Sequence, residues 1–294
     1  MIGEELEVER RGAVMLMRLC RPEWMNALSP ATSRACAEVI DAFALDDAMR
    51  VLIVTGKGDR AFCAGADLMA SARDGERPAS GFGGLTARFD LAKPVIAAVN
   101  GVALGGGFEL ALACDIILAA DSASFGLPEP TLGLVALAGG LHRLPRAIGE
   151  KRALALLLTG ERVGAEEGRR LGFVHEVVAS ARLEHRAIEL AEAIAAMSPA
   201  ALAAIKEAVW RGMAEPTVEA AMARSSPIRP WTRCCALGTA GKACAHFGRS
   251  VRQTGRRGGR PDPLPRAGAV PPIDAPAWGL MSAAFLAEFF ENPA

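Results

Sequence analysis

The sequence has no net charge, because 33 Lys+Arg balance 33 Asp+Glu. This excludes a uniformly basic nucleic-acid binder and an acidic solvating chain as descriptions of the whole. No apolar run reaches the about 20 residues that a bilayer-spanning helix needs. The opening MIGEELEVER is acidic and lacks an apolar signal core, so we expect no membrane association, no secretion and a cytoplasmic protein. Cysteine is sparse and odd in number, with seven at 20, 36, 63, 114, 234, 235 and 244. These read as reduced thiols, not a disulfide framework. There is no G-x-x-x-x-G-K-[ST], no G-x-S-x-G, no H-E-x-x-H and no C-x-x-C, which removes the P-loop, the nucleophile elbow and the common metal motifs. His142, His175, His185 and His246 are isolated, so no metal site is expected.

What is present is enough apolar material for a real core: 51% hydrophobic and 22% charged residues in 294. That fits one large domain, or one domain with an appendage. The charge balance is a sum of two unlike parts. Residues 1–225 hold 29 acids and 24 Lys+Arg, a net of −5, while residues 226–294 hold 4 and 9, a net of +5. The last 69 residues also carry 9 of the 18 prolines and 3 of the 7 cysteines. We place a boundary near Arg224–Pro227.

In the first part, strand and helix patterns alternate. Leu6–Glu9 and Val14–Leu19 flank Arg11-Gly12 as a hairpin. Ser29-Pro30 opens a helix with Ala35, Val39, Ile40 and Phe43 on one face. Val51–Thr55, Val95–Val99, Ile116–Ala119 and Phe173–Val178 read as strands. Helical patterns cover about 137–147, 150–159, 164–171, 181–197 and 199–213. Arg73–Gly84, rich in Gly, Pro and charge, reads as a mobile loop. This alternation predicts an α/β layered fold with parallel strands.

Two turns of small residues each precede a helix: Ala64-Gly65-Ala66-Asp67-Leu68 and Leu104-Gly105-Gly106-Gly107. The second gives G-x-G but has Leu110 where a dinucleotide fingerprint needs a third glycine. Small residues let a ligand approach the backbone, and free amides at a helix start can stabilise a developing oxyanion. Tight helix–strand packing explains either turn equally well when it is taken alone. Two carboxylates sit in apolar settings: Glu109 in Gly-Gly-Phe-Glu-Leu-Ala, and Glu129 between Pro128 and Pro130. Such a setting raises a carboxyl pKa and suits acid–base work, although a solvated surface Glu is the plain alternative for each. Cys63 has no nearby His to activate it and reads as a buried, inert thiol.

Together these stretches resemble the crotonase superfamily, whose type member is enoyl-CoA hydratase. The resemblance runs over about residues 5–224. It is carried by Arg21-Pro22-Glu23, Asn26-Ala27-Leu28, Ala61–Leu68, Lys93–Gly101 and Ala103–Leu110. Cys114-Asp115, Phe125–Glu129, Leu132-Gly133 and Leu158-Thr159-Gly160 complete it. It implies a ββα spiral core over residues 1–200, with C-terminal helices starting in 201–225. It also implies a homotrimer or dimer of trimers, an acyl-CoA thioester as substrate, and no metal or redox cofactor. The backbone N–H groups of Ala66 and Gly106 would hold the thioester oxygen. Glu109 would take a proton from the attacking water and Glu129 would protonate the α-carbon. Ala27, Ala64, Asp67, Leu68, Leu104 and Pro128 would contact the substrate or its CoA. Retention of both Glu residues favours hydration of a trans-2-enoyl-CoA, or the reverse dehydration.

The alternatives are another crotonase reaction, such as enoyl-CoA isomerisation or carnitinyl-CoA dehydration. Leu141-His142-Arg143-Leu144-Pro145 is similar to the form in carnitinyl-CoA dehydratases. Trp24 departs from the charged residue usual at its place. A non-catalytic RNA binder using the basic tail is a reading of another class. The tail lacks aromatics interleaved with its arginines, so nucleic-acid binding is not expected.

Residues 226–294 do not continue the resemblance, and we expect them to be disordered. The family's ending contains E-G, A-F, E-K-R and P-x-W in order. When Leu237–Gly255 is back-translated and re-read from the third base of each codon, that series is allowed at the family's spacing. We expect the tail to come from a shifted reading frame, leaving the chain less stable and less active than its in-frame version. Sequencing the gene across Arg224–Pro227 checks this, and an intact frame there contradicts it.

Overall fold

The first described elements are two six-residue strands on either side of a glycine turn. Strands β1 (Leu6–Arg11) and β2 (Val14–Leu19) pair antiparallel, from Leu6↔Leu19 to Arg11↔Val14. Gly12 supplies the left-handed turn residue at φ 56°. The computed structural model describes residues 5–74 and 78–225. Helix α1 (Pro30–Leu45) follows, with Ser29 accepting from the Thr32 N–H at 3.0 Å and Pro30 in the first turn. Cys36, Val39, Ile40 and Phe43 form its buried stripe.

The chain then winds as a spiral. Each turn lays one strand in a large sheet, turns a corner and lays a short strand in a second sheet. The first turn is β3 (Val51–Gly56), β4 (Ala61–Cys63) and helix α2 (Leu68–Asp74). The next is β5 (Val95–Val99), β6 (Val102–Leu104) and helix α3 (Gly106–Ala113). The third is β7 (Ile116–Ala120) and β8 (Ser124–Gly126), leading into a 3₁₀ turn at Glu129–Leu132. With β9 (Val163–Gly164) and β10 (Glu176–Val178), the sheets run β1-β2-β3-β5-β7-β10 and β4-β6-β8-β9. The strands β2 to β8 of the spiral pair parallel within their sheets, and β9 closes the second sheet antiparallel to β8. Every residue of β3 and β5 is buried, as an apolar strand covered on both faces requires.

The corners are tight. A Cβ on Gly101 would lie 2.4 Å from the Arg60 carbonyl oxygen of the preceding turn, so only glycine fits. Asparagine side chains satisfy the corner backbone. Asn100 Oδ1 accepts from Gly56 N–H at 2.9 Å and its Nδ2 donates to Gly58 O at 2.8 Å. Asn26 Nδ2 donates to Ala61 O at 2.7 Å and Lys57 O at 3.0 Å.

Six further helices follow among the described residues: α4 (Gly140–Ile148), α5 (Glu150–Thr159), α6 (Ala165–Leu171), α7 (Leu183–Ala195), α8 (Pro199–Gly212) and α9 (Val218–Ser225). Helix α7 presents Leu183, Ala187, Ala191 and Ala195 to the large sheet. Helix α8 is bent from it by 102°. Lys206 of α8 reaches Asp115 Oδ2 at 2.7 Å and Lys93 O at 2.9 Å, and Ile205, Val209 and Met213 form an exposed stripe. No single helix among the described residues is long and apolar enough to cross a membrane.

Three features differ from expectation. The four short strands of the second sheet did not stand out as patterns. Phe173 and Val174 are buried ahead of β10, which starts only at Glu176. The expected loop at 73–84 is in part packed structure: α2 runs to Asp74, and Phe82, Gly83 and Gly84 are buried in a 3₁₀ turn. Gly83 and Gly84 have φ of 58° and 68°, and a Cβ on Gly84 would lie 2.5 Å from Ala37 Cα. Their glycine content serves close packing on α1. The boundary drawn at residue 200 falls at the start of α8, and the 226–294 tail lies outside the described residues.

Phe108, Phe125 and Phe173 form an aromatic triad with ring centroids 5.1–5.2 Å apart. It joins α3, β8 and the segment before β10. Phe125→Ala is expected to cost about 3–5 kcal/mol of stability, read by chemical denaturation, and Phe125→Leu should cost less.

Candidate active site

The two small-residue turns meet. Leu28 and Ala66 form an isolated parallel bridge, in which Leu28 N–H donates to Gly65 O and Asp67 N–H to Leu28 O, both at 2.9 Å. In a parallel bridge the groups flanking Ala66 face Leu28, so the Ala66 N–H faces away. A Cβ on Gly65 would lie 2.9 Å from Leu104 O and 3.4 Å from Gly106 N. That places the Ala66 turn against the head of α3. Gly106 is the first residue of α3, so its N–H has no intrahelical acceptor. Neither amide meets an acceptor among the described residues. Gly65, at φ 104° and with this clearance, cannot carry a side chain without moving the turn.

Both glutamates are tied to the second turn, Glu109 through its backbone and Glu129 through its side chain. Glu109 lies in the first turn of α3, and its N–H donates to Gly105 O at 3.0 Å. Its side chain is buried, and Oε1 accepts from Gly140 N–H at the head of α4, at 2.8 Å. This bond orients the carboxyl group. Glu129 comes from the third spiral turn, and its Oε1 would lie 3.0 Å from a Cβ on Gly105. Its Oε2 is buried with no hydrogen-bond partner among the described residues. Burial pushes the Glu129 carboxyl above its ordinary value.

The remaining expected contacts are spread around the same turns. Ala27, Ala64 and Pro128 are half-buried, Leu68 is exposed and Leu104 is buried. Asp67 is occupied by protein: Oδ1 accepts from Ala70 N–H at 2.9 Å and Oδ2 from Arg21 at 3.0 Å. Cys63 is fully buried, and burial pushes its thiol up to about 12, so it holds no thiolate at neutral pH. Trp24 is exposed.

Residues given no site role from sequence also shape the site. Phe82 is an aromatic wall, since a Cβ on Gly106 would lie 2.9 Å from its Cζ. Arg143 of α4 donates to Thr86 O at 2.9 Å, tying α4 to the Phe82 segment. Arg21 donates to Ala27 O at 2.8 Å. The bond partners of both arginines include backbone carbonyls, which leave no mark in the sequence.

A two-sheet spiral with paired amides at the head of α3 and two carboxylates beside them defines a crotonase-type protein. The model of the enoyl-CoA hydratase/isomerase family matches residues 9–227, and the chain belongs to that family. It is 46% identical over 223 residues to carnitinyl-CoA dehydratase of Proteus mirabilis, covering 74% of this chain and 84% of that protein. Among solved structures, enoyl-CoA hydratase from Mycobacterium tuberculosis matches with a TM-score of 0.76 at 37% identity, covering 84% of this chain and 97% of that one. A carnitinyl-CoA dehydratase from Mycobacterium avium matches with a TM-score of 0.68 at 40% identity, covering 76% and 91%.

Folding favours the protonated form of Glu129, because its folded pKa lies above the unfolded one. That contribution is complete below the ordinary carboxylate pKa and is lost as pH rises through the folded value. Glu129→Gln cannot ionise and keeps it. The melting temperature of the variant minus that of the wild type should therefore grow from acidic to neutral pH, and a flat difference contradicts the assignment.

Proposed function

We propose that the chain adds water across the 2,3 double bond of a trans-2-enoyl-CoA, or removes it in the reverse direction. The observation that carries this reading is the Glu129 carboxyl, which has one buried oxygen unpaired and lies beside the turn whose amide points outward. A carboxyl kept partly out of water holds its proton to higher pH and can deliver it.

The thioester oxygen accepts hydrogen bonds from Ala66 and Gly106 N–H, which draws electrons from the conjugated double bond. Glu109, oriented by Gly140, takes a proton from water as its oxygen bonds to the β-carbon. The resulting enolate is protonated at the α-carbon by Glu129. Both elements of water are then placed, one proton resides on Glu109, and exchange with solvent restores the pair. The amides stabilise charge that exists only along the reaction path, so they act on turnover more than on binding.

A second reading is supported by the 46% identical relatives named carnitinyl-CoA dehydratase. It uses the same atoms in the reverse direction on a substituted acyl chain. Initial rates with a series of straight-chain trans-2-enoyl-CoA esters, beside carnitinyl-CoA, separate the two.

Glu109→Gln and Glu129→Gln keep size and hydrogen bonding but cannot transfer the proton. Each should lower turnover about 100-fold or more, with acyl-CoA affinity little changed. Near-normal turnover in either variant removes that residue from the mechanism.

A further inference from the structure

We propose that Arg21 is a positioning residue whose guanidinium fixes the bridge that aims the Ala66 N–H. This rests on the reading of Ala66 as an oxyanion donor.

The two donors are held in different ways. Gly106 heads an eight-residue helix, and its neighbour Gly105 is anchored by N–H donation to Gly126 O at 2.9 Å. Ala66 lies outside both sheet ladders: it is held by the isolated bridge to Leu28 and, two residues earlier, by Ala64 N–H donating to Met25 O at 3.0 Å. The two bonds of that bridge flank Ala66 directly and so set the direction of its amide.

Arg21 grips both sides of that bridge. Nη1 donates to Ala27 O at 2.8 Å, one residue before Leu28, and Nη2 donates to Asp67 Oδ2 at 3.0 Å, one residue after Ala66. Nε pairs with Glu5 Oε1 at 3.1 Å. The Arg21 and Asp67 side chains are only 12% and 17% exposed, so water competes little for these bonds. Asp67 extends the grip into α2, where its Oδ1 accepts from Ala70 N–H and its carbonyl accepts from Ser71 N–H at 2.8 Å. Burial alone would raise the Asp67 carboxyl, but the Ala70 and Arg21 bonds hold it below its ordinary value.

The base of the clamp is itself fixed. Arg21 N–H donates to Asn26 Oδ1 at 3.0 Å, and Asn26 N–H donates to Arg21 O at 2.8 Å. Met25 and Asn26 take left-handed φ values of 51° and 55° to close this knot, a conformation that persists only where surrounding contacts enforce it. A planar fork can serve a carbonyl and a carboxylate at once. A lysine ammonium has no such fixed pair of donors.

The test uses Arg21→Lys and Asp67→Asn in the full chain. Hydration of crotonyl-CoA is measured together with the near-ultraviolet absorbance of bound acetoacetyl-CoA, whose enolate reports the oxyanion donors without turnover. Each variant should lose about 10- to 100-fold in kcat, the scale of a small misplacement of a reacting group. KM should change less than about threefold, the enolate fraction should fall, and the double variant should lose little more than the worse single one. A purely structural Arg21 would lower the melting temperature and leave kcat and the enolate fraction of folded protein unchanged, which overturns the proposal. If Arg21→Lys does not fold, Asp67→Asn decides on the same readouts. A wild-type protein that forms the enolate but hydrates no enoyl-CoA refutes the hydratase reading, and the clamp is then judged on the enolate alone. A wild type that hydrates crotonyl-CoA yet forms no enolate overturns the clamp.

Discussion

A Cβ on Gly107 would lie 1.9 Å from Cys63 O, so the second turn of the spiral rests on the first with no side chain between them. Gly101 stands against Arg60 O and Gly65 against Leu104 O in the same manner. Backbone laid directly on backbone sets the pitch of the spiral, and the pitch sets the spacing of the two outward amides. The short second sheet, the corner asparagines and the placement of α3 follow from this contact. A larger residue at any of these positions would have to separate two layers that share one core.

The two carboxylates differ because their surroundings differ. Glu109 is buried but receives the Gly140 amide from the head of α4. Glu129 has an oxygen with no such donor, and burial disfavours its charge. One setting suits a group that accepts a proton, and the other suits a group that holds one. The pair comes from successive spiral turns, one from the head of α3 and one from the turn after β8, so their relation depends on the stacking of layers.

The parts of this arrangement that could be read beforehand are those written into short stretches of chain. β3, β5 and β7 are continuous apolar runs, and Ser29-Pro30 marks a helix start that the Thr32 bond confirms. Glu109 and Glu129 stood out because each is a charge in apolar company. β4, β6 and β8 have three residues each, too few for a period to show. Phe82–Gly84 was misread because glycine signals both looseness and close contact, and only the packing on Ala37 tells which applies. Arg21 and Arg143 stand in stretches quoted from the sequence, but their roles are not legible there for another reason. Arg21 finds Asp67 across 46 residues and Arg143 finds Thr86 O across 57, and nothing local announces either pairing.

The buried cysteines have a practical consequence. Cys36, Cys63 and Cys114 sit in α1, in β4 and at the end of α3, all buried. Cys20, on the strand edge, is only partly covered. Alkylating reagents attack the thiolate and need access to it. The three enclosed sulfurs therefore become reactive only when the layer above each one lifts. Together they form a built-in set of clocks that time the opening of α1 and of two successive spiral turns, without any label being added to the chain.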